Sequence, residues 1–431
     1  MHSLEEKPEI VQPVKQTRSL PIIAFFIGNV ISDVGNVCSL LALPWFVLMT
    51  TGSVAETGVT AFFATLPMVF SNFFGSTLVD RLGFKRTSVI SDVVSSITVM
   101  LIPLLYHFVG LVLWQLLILV FLGGLLKSPG STARMSLVPD LADLAGMRLE
   151  RVNAFTEGFG RMSSLIGAPL AGLLIVLIGA GNLLWLDAVS FGISALFIGL
   201  AVPVIVVRKQ TTEKQQDQQG QRRYFASLWE GVRFIRRESL ILSLVGVILI
   251  TNTVDSAFVS VIEPAYVKHF FNSALPLGFL IAASGGAAFV GTIIFGGIGH
   301  RLPRRLTYAI GYTIGGALNF WIYLFLPIFP ILIFWQIIAG LAISPVTPIA
   351  LTVVQERLPT EMRARVFGTI SASILIGIPL GTFLSGFMVT WFGLSATLFV
   401  MGAVYLITTL SLLVNPAMRK MERPVKAETL A

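Results

Sequence analysis

Apolar stretches follow one another down almost the whole chain, each of roughly twenty residues, the length a helix needs to cross a ~30 Å hydrocarbon core. They fall near 20–49, 54–78, 87–108, 110–127, 153–178, 182–207, 240–263, 275–299, 306–326, 329–352, 366–391 and 393–414, with short polar breaks between them. Twelve such stretches predict an all-α membrane protein. The longest polar interruption, Arg208 to Ser227, is too hydrophilic to pack and splits the stretches into six and six. Just after it Leu228, Trp229, Val232 and Ile235 recur at helical spacing opposite Arg233, Arg236 and Arg237, the pattern of a helix lying in the membrane interface.

Composition supports this reading. Of 431 residues 55% are hydrophobic and only 12% charged, about half the charged share of a soluble domain. A net charge of +8 raises the possibility of nucleic acid as a partner, but the cations sit in the loops of one side. All 30 lysines and arginines except Lys268 and Arg161 fall in the tails, in alternate loops or in the central break. That is the positive-inside pattern, so both termini are expected in the cytoplasm of a cell-membrane protein and no nucleic-acid partner is expected. The single cysteine, Cys38, rules out an intrachain disulfide. The first apolar stretch is too long for a signal-peptide core and is expected to be retained. The expected division is a tail over 1–19, a six-helix bundle over 20–207, a linker with its interfacial helix over 208–238, a second bundle over 239–414 and a tail over 415–431.

Sliding the chain by 220 residues aligns Pro44 with Pro264, Arg81-Leu82 with Arg301-Leu302, Thr87 with Thr307 and Pro139 with Pro359. At a shorter shift Ile166-Gly-Ala-Pro-Leu170 is echoed by Ile376-Gly-Ile-Pro-Leu380. Together these predict two pseudo-symmetric bundles related by an axis along the membrane normal.

The most specific motif is Gly75-Ser-Thr-Leu-Val-Asp80-Arg81-Leu-Gly83-Phe-Lys85-Arg86, between the second and third stretches. A glycine permits close helix approach, Asp80 can pair with a base or cap a helix, and Gly83 suits a tight reversal. The motif resembles the signature loop of the major facilitator superfamily. Leu137-Val-Pro-Asp140 with Arg148 and Asn153, Leu186-Asp-Ala-Val-Ser-Phe191, and Gln355-Glu-Arg-Leu-Pro359 with Arg363-Ala-Arg-Val366 look like the branch of enterobactin exporters and macrolide efflux proteins, the third drug:proton antiporter family. The resemblance implies alternating access in a monomer that exports a small amphipathic molecule against protons, with no cofactor, and a gate formed by Gly75, Asp80, Arg81, Gly83, Lys85 and Arg86. Siderophore or lysophospholipid export is the alternative within transport, and a sensor or lipid scramblase the alternative outside it. Two departures stand out. The second-half copy, His300-Arg-Leu-Pro-Arg-Arg305, lacks the acid and the turn glycine, and the mid-span-four arginine of many proton-coupled exporters is replaced by Leu119 or Val120.

Charges inside a span cost roughly 2.5–3.5 kcal/mol each, so those kept face a cavity or a partner. Asn29, Asp33 and Asn36 share one face of the first span, which makes Asp33 the first candidate for binding a proton or a cationic substrate, with a structural pairing as the other reading. Glu157 and Arg161, four apart, are expected either to neutralise each other or to form a switch in which Arg161 alternates between Glu157 and Asp33. Asp255, with Asn252 and Ser256, is a second candidate carboxylate. Glu263 reads as an outer-gate or interface residue, Asp187 as a cap at the start of span six and Asp92 as structural. His2, His107, His269 and His300 are dispersed without zinc spacing, and no phosphate loop occurs, so neither a metal nor an ATP-driven cycle is expected.

Overall fold

The computed structural model describes residues 19–203, 229–358 and 360–422, and the helices among them form twelve spans. Span one is α1 (Leu20–Thr51), two is α2 (Val54–Leu82) and three is α3 (Phe84–Phe108). Span four comprises α4 (Leu113–Leu125) and α5 (Lys127–Ala145); α6 (Leu149–Ile178) and α7 (Ala180–Ala201) are five and six. A short helix, α8 (229–237), leads into span seven, made of α9 (Ser239–Ala257), a π-helical turn (Phe258–Ile262) and α10 (Glu263–Phe271). Then come α11 (Leu275–Ile298) and span nine, in which α12 (Arg304–Tyr312) and α13 (Leu318–Phe325) flank a second π-helical turn. Span ten is α14 (Phe329–Ile343) with α15 (Val346–Arg357). The last two spans are one continuous stretch, α16 (Thr360–Val414), broken at Gly393, whose φ of 81° only glycine adopts freely.

Span four differs from the expectation. It runs to Ala145 instead of ending at 127, so Lys127 and Arg134 lie inside the bundle and not in a loop. The reason is the face they occupy: in α5 Lys127, Ser131 and Arg134, about a helical turn apart, line a cavity beside α1 and α3, while the helix backbone satisfies its own hydrogen bonds.

In the first half α7 packs against α1 and α3, and α2 against α4; in the second, α11 packs on α14 and α9 on α16. The halves meet through α2 with α16 and through α6 with α11. Glycine makes the approach possible. A Cβ on Gly386 would lie 3.0 Å from the Gly58 Cα, and one on Gly172 would lie 2.9 Å from the Ala274 carbonyl oxygen. The Lys268 ammonium adds a hydrogen bond from span seven to the Leu48 carbonyl oxygen of span one. All these approaches lie at the end opposite the arginine-rich loops. Nearer those loops Gly158 and Gly160 of α6, and Gly296 and Gly297 of α11, have nothing within 4 Å.

The second half carries its own ties at the arginine-rich end. Arg304 makes a two-pronged ion pair with Glu356 (2.6 and 2.8 Å), and Glu422 accepts from the backbone N–H groups of Arg304 and Arg305, the orphan donors of a helix start. The copy of the signature loop, though lacking its acid, is therefore held by carboxylates from span ten and the segment after span twelve. Glu263 is buried and accepts a 2.7 Å hydrogen bond from Tyr323, whose hydroxyl accepts one of 2.7 Å from Gln336. Tyr323→Phe is expected to cost about 1–3 kcal/mol, because it leaves two buried polar groups unmatched. Thermal unfolding of the purified protein in detergent measures this, and an unchanged midpoint would show the chain of bonds to be dispensable.

Candidate functional site

The first half encloses two adjoining cavities. The larger, about 360 Å³, lies among spans one, two, three, four and six, with Ser260 of span seven at its edge. Its walls are mostly apolar, among them Leu40, Leu43, Ala64, Ile102, Leu119 and Leu184, and its polar end is formed by Asn36, Ser39, Lys127 and Asp187. The smaller, about 210 Å³, is lined by Asn29, Asp33, Asn36, Asp92, Lys127 and Arg134 together with serines of spans one, three and four. Asn36, Ser95, Lys127 and Phe191 border both.

Arg134 anchors the smaller cavity. It pairs with Asp92 and donates to Asn29 Oδ1 (3.2 Å), Ser32 Oγ (3.4 Å) and Ser88 Oγ (3.2 Å), while Ser194 donates to the other Asp92 oxygen at 2.8 Å. With most of its donors engaged, the guanidinium is fixed. Asp33 lies within the field of Arg134, Asp92 and Lys127 but makes no hydrogen bond or ion pair among the described residues. Asn36 Oδ1 is buried without a partner between the two cavities. The three side chains predicted to share a face of span one, Asn29, Asp33 and Asn36, thus all border the charged cavity.

Asp187 is not a helix cap. It lies two turns inside α7, buried, with Ser39 donating to one carboxylate oxygen and Ser190 to the other at 3.3 Å. Span one comes this close because residue 35 is glycine; a Cβ there would run into Ser190 and Asp187.

The other candidates lie elsewhere. Glu157 and Arg161 are exposed and form no ion pair with each other in this conformation; the Arg161 guanidinium sits 5.6 Å from the centre of the Phe289 ring, across the junction with α11. Arg134, not Arg161, is the guanidinium beside Asp33. Asp255 accepts a 3.2 Å hydrogen bond from Tyr405 in the second half and does not join the Asp33 cluster. In the signature loop Gly83 makes the expected reversal between α2 and α3 with φ of 81°, Arg81 and Arg86 are exposed and Lys85 is half-buried. The backbone at Gly75 and Asp80 is helical, and their side chains lie outside the described residues. Sequence reasoning missed Lys127, Arg134 and Asp187. The available signal was Pro129-Gly130 with Ala133, Leu137 and Leu141, small or apolar residues at helical spacing that continue the span past Lys127.

Comparison with known proteins agrees with this architecture. The multidrug efflux pump Tap of Mycobacterium tuberculosis H37Rv is 27% identical over 413 residues, 95% of this chain and 96% of the relative. Tap of Mycolicibacterium fortuitum is 27% identical over 410 residues, 94% and 98% of the two chains. Among solved structures the nucleoside transporter NupG superposes with a TM-score of 0.73 at 15% identity, over 91% of this chain and 98% of its own. Residues 25–261 and 244–430 each match the family profile of the Major Facilitator Superfamily, and with the twelve-span, two-bundle fold this places the chain in that superfamily.

Proposed function

We propose that this membrane transporter exports drug-like amphipathic small molecules by alternating access, driven by protons moving inward. The observation that carries this reading is the pair of cavities in the first half. An apolar chamber large enough for a small organic molecule abuts a charged one in which Asp33 has no bonded partner among the described residues, so occupancy of one and protonation of the other share a wall. The efflux pumps related over nearly the full chain support export as the direction. The charge distribution supports cytoplasmic termini. In that orientation the tightest glycine contacts between the halves, among the described residues, lie at the outer end, which supports a conformation loaded from the cytoplasm. Glu157 and Arg161 then flank the cytoplasmic approach between α6 and α11, and Asp255 with Tyr405 is a structural pair of the second half.

The test is transport in vesicles with an imposed pH gradient, using substrates first identified with a panel of growth inhibitors and siderophores in an efflux-deficient host. Asp33→Asn is expected to reduce gradient-driven efflux roughly 5–150-fold, the range of a coupling worth 1–3 kcal/mol. Full pH-driven efflux by that variant would remove Asp33 from the coupling, and gradient-driven uptake of a nutrient in place of protection would overturn export.

A further inference from the structure

Among the described residues the charged side chains bordering the two cavities are three carboxylates, Asp33, Asp92 and Asp187, and two cations, Lys127 and Arg134. Arg134 is committed by its ion pair with Asp92 and by the hydrogen bonds it donates to Ser88 of α3 and to Asn29 and Ser32 of α1. That leaves one lysine for two acids. Lys127 is the hinge of the arrangement: it borders both cavities, Asp187 and Asp33 are the acids acting on it most strongly, and it is bonded to neither. Cys38 lies in the field of Asp187, and Asp33 in that of Arg134, Asp92 and Lys127. Whichever acid Lys127 leaves must bind a proton or meet another cation, since an uncompensated carboxylate within the membrane is costly.

We propose that Lys127 is a movable counter-ion shared by Asp187 and Asp33, and that the apolar cavity takes an organic monocation with its charge at Asp187. The exchange balances. With the cavity empty, Lys127 pairs with Asp187 and Asp33 holds a proton. The arriving cation replaces Lys127 at Asp187, Lys127 moves to Asp33, and the Asp33 proton leaves, one positive charge in for one out. The orphaned Asn36 Oδ1, on the wall between the cavities, is an acceptor for the ammonium as it crosses. This rests on the proton-coupled export proposed above and names its substrate class.

The test is binding of tetraphenylphosphonium to the full-length protein in detergent, by equilibrium dialysis, with neutral triphenylphosphine oxide as control. Wild type is expected to release one proton per cation bound and to weaken about tenfold for each unit of pH lowered, while the neutral probe binds weakly and without pH dependence. Asp33→Asn keeps Lys127 at Asp187, so it is expected to weaken cation binding by about tenfold or more and abolish proton release. In a Lys127→Met background the same Asp33→Asn change is expected to alter binding less than about twofold. An equal Asp33→Asn effect in both backgrounds, equal affinity for the two probes, or no cation binding to wild type overturns the proposal. If Lys127→Met fails to fold, proton release alone decides: release by wild type and none by Asp33→Asn supports the proposal, and equal release overturns it. No gradient is present, so a failed export assay with the binding cycle intact overturns export alone, and export with an additive cycle overturns the counter-ion alone.

Discussion

Arg134→Met is expected to lower the stability of the protein by about 3–5 kcal/mol, the cost of stripping the partner from a buried carboxylate. The magnitude follows from where Asp92 sits. Its carboxylate is buried between α3, α5 and α7, one oxygen paired with Arg134 and the other with the Ser194 hydroxyl, and no second cation among the described residues bonds to it. Removing Arg134 also frees Asn29, Ser32 and Ser88, so the loss reaches span one. The companion variant separates charge from packing. Asp92→Leu combined with Arg134→Met removes both charges and is expected to recover most of the loss, because apolar replacement of a buried pair is often neutral. Thermal midpoints of the single and double variants in detergent measure both effects. A single variant within ~1 kcal/mol of wild type, the scale of an exposed pair, would mean that water reaches Asp92 and compensates it.

The pair also shows why the sequence revealed the fold more fully than the site. Hydropathy averages round the circumference of a helix, so a span that is apolar on every side announces itself, as most of the twelve do. Span four does not. Lys127, Ser131 and Arg134 give α5 a polar stripe that reads as loop, yet the stripe faces a cavity and the neighbouring helices. The same averaging counted Lys127 and Arg134 among the loop cations that set orientation. Asp33 was legible because Asn29 and Asn36 repeat at helical spacing in an otherwise apolar run, a cost that only a cavity justifies. Asp187 was hidden for a different reason: near the start of a span an acid suits the helix dipole, and nothing local reveals that Ser39, far away in sequence, completes its bonding. The Glu157–Arg161 spacing permits an ion pair, but spacing is silent about Phe289, which lies across the junction and holds the guanidinium instead.

Gly386→Val is expected to leave the protein folded and shift it away from the conformation described here. The contact between α2 and α16 brings Gly386 against Gly58 so closely that an added Cβ would lie 3.0 Å from both the Gly58 Cα and the Val54 carbonyl oxygen. Backbone cannot step aside as a flexible side chain can, so the helices must part at this end. Overpacking of this kind costs about 1–3 kcal/mol. Applied to one of two conformations, that changes their ratio roughly 5–150-fold. Because the glycines on the arginine-rich side have open space beside them, closure there meets no comparable obstacle. Cys38 is the only cysteine, so a Cys38→Ala background lets single introduced thiols report on each end. Thr57→Cys, buried beside Gly58, is expected to react faster with a bulky maleimide once Gly386→Val is added, and Glu157→Cys, exposed here, to react more slowly. Faster reaction at both positions would mean that the halves had separated altogether, and no change at either would mean that the seal lies elsewhere. Opposite changes at the two ends are what a rocking exchange between the bundles requires, since neither local loosening nor global unfolding protects one end while exposing the other.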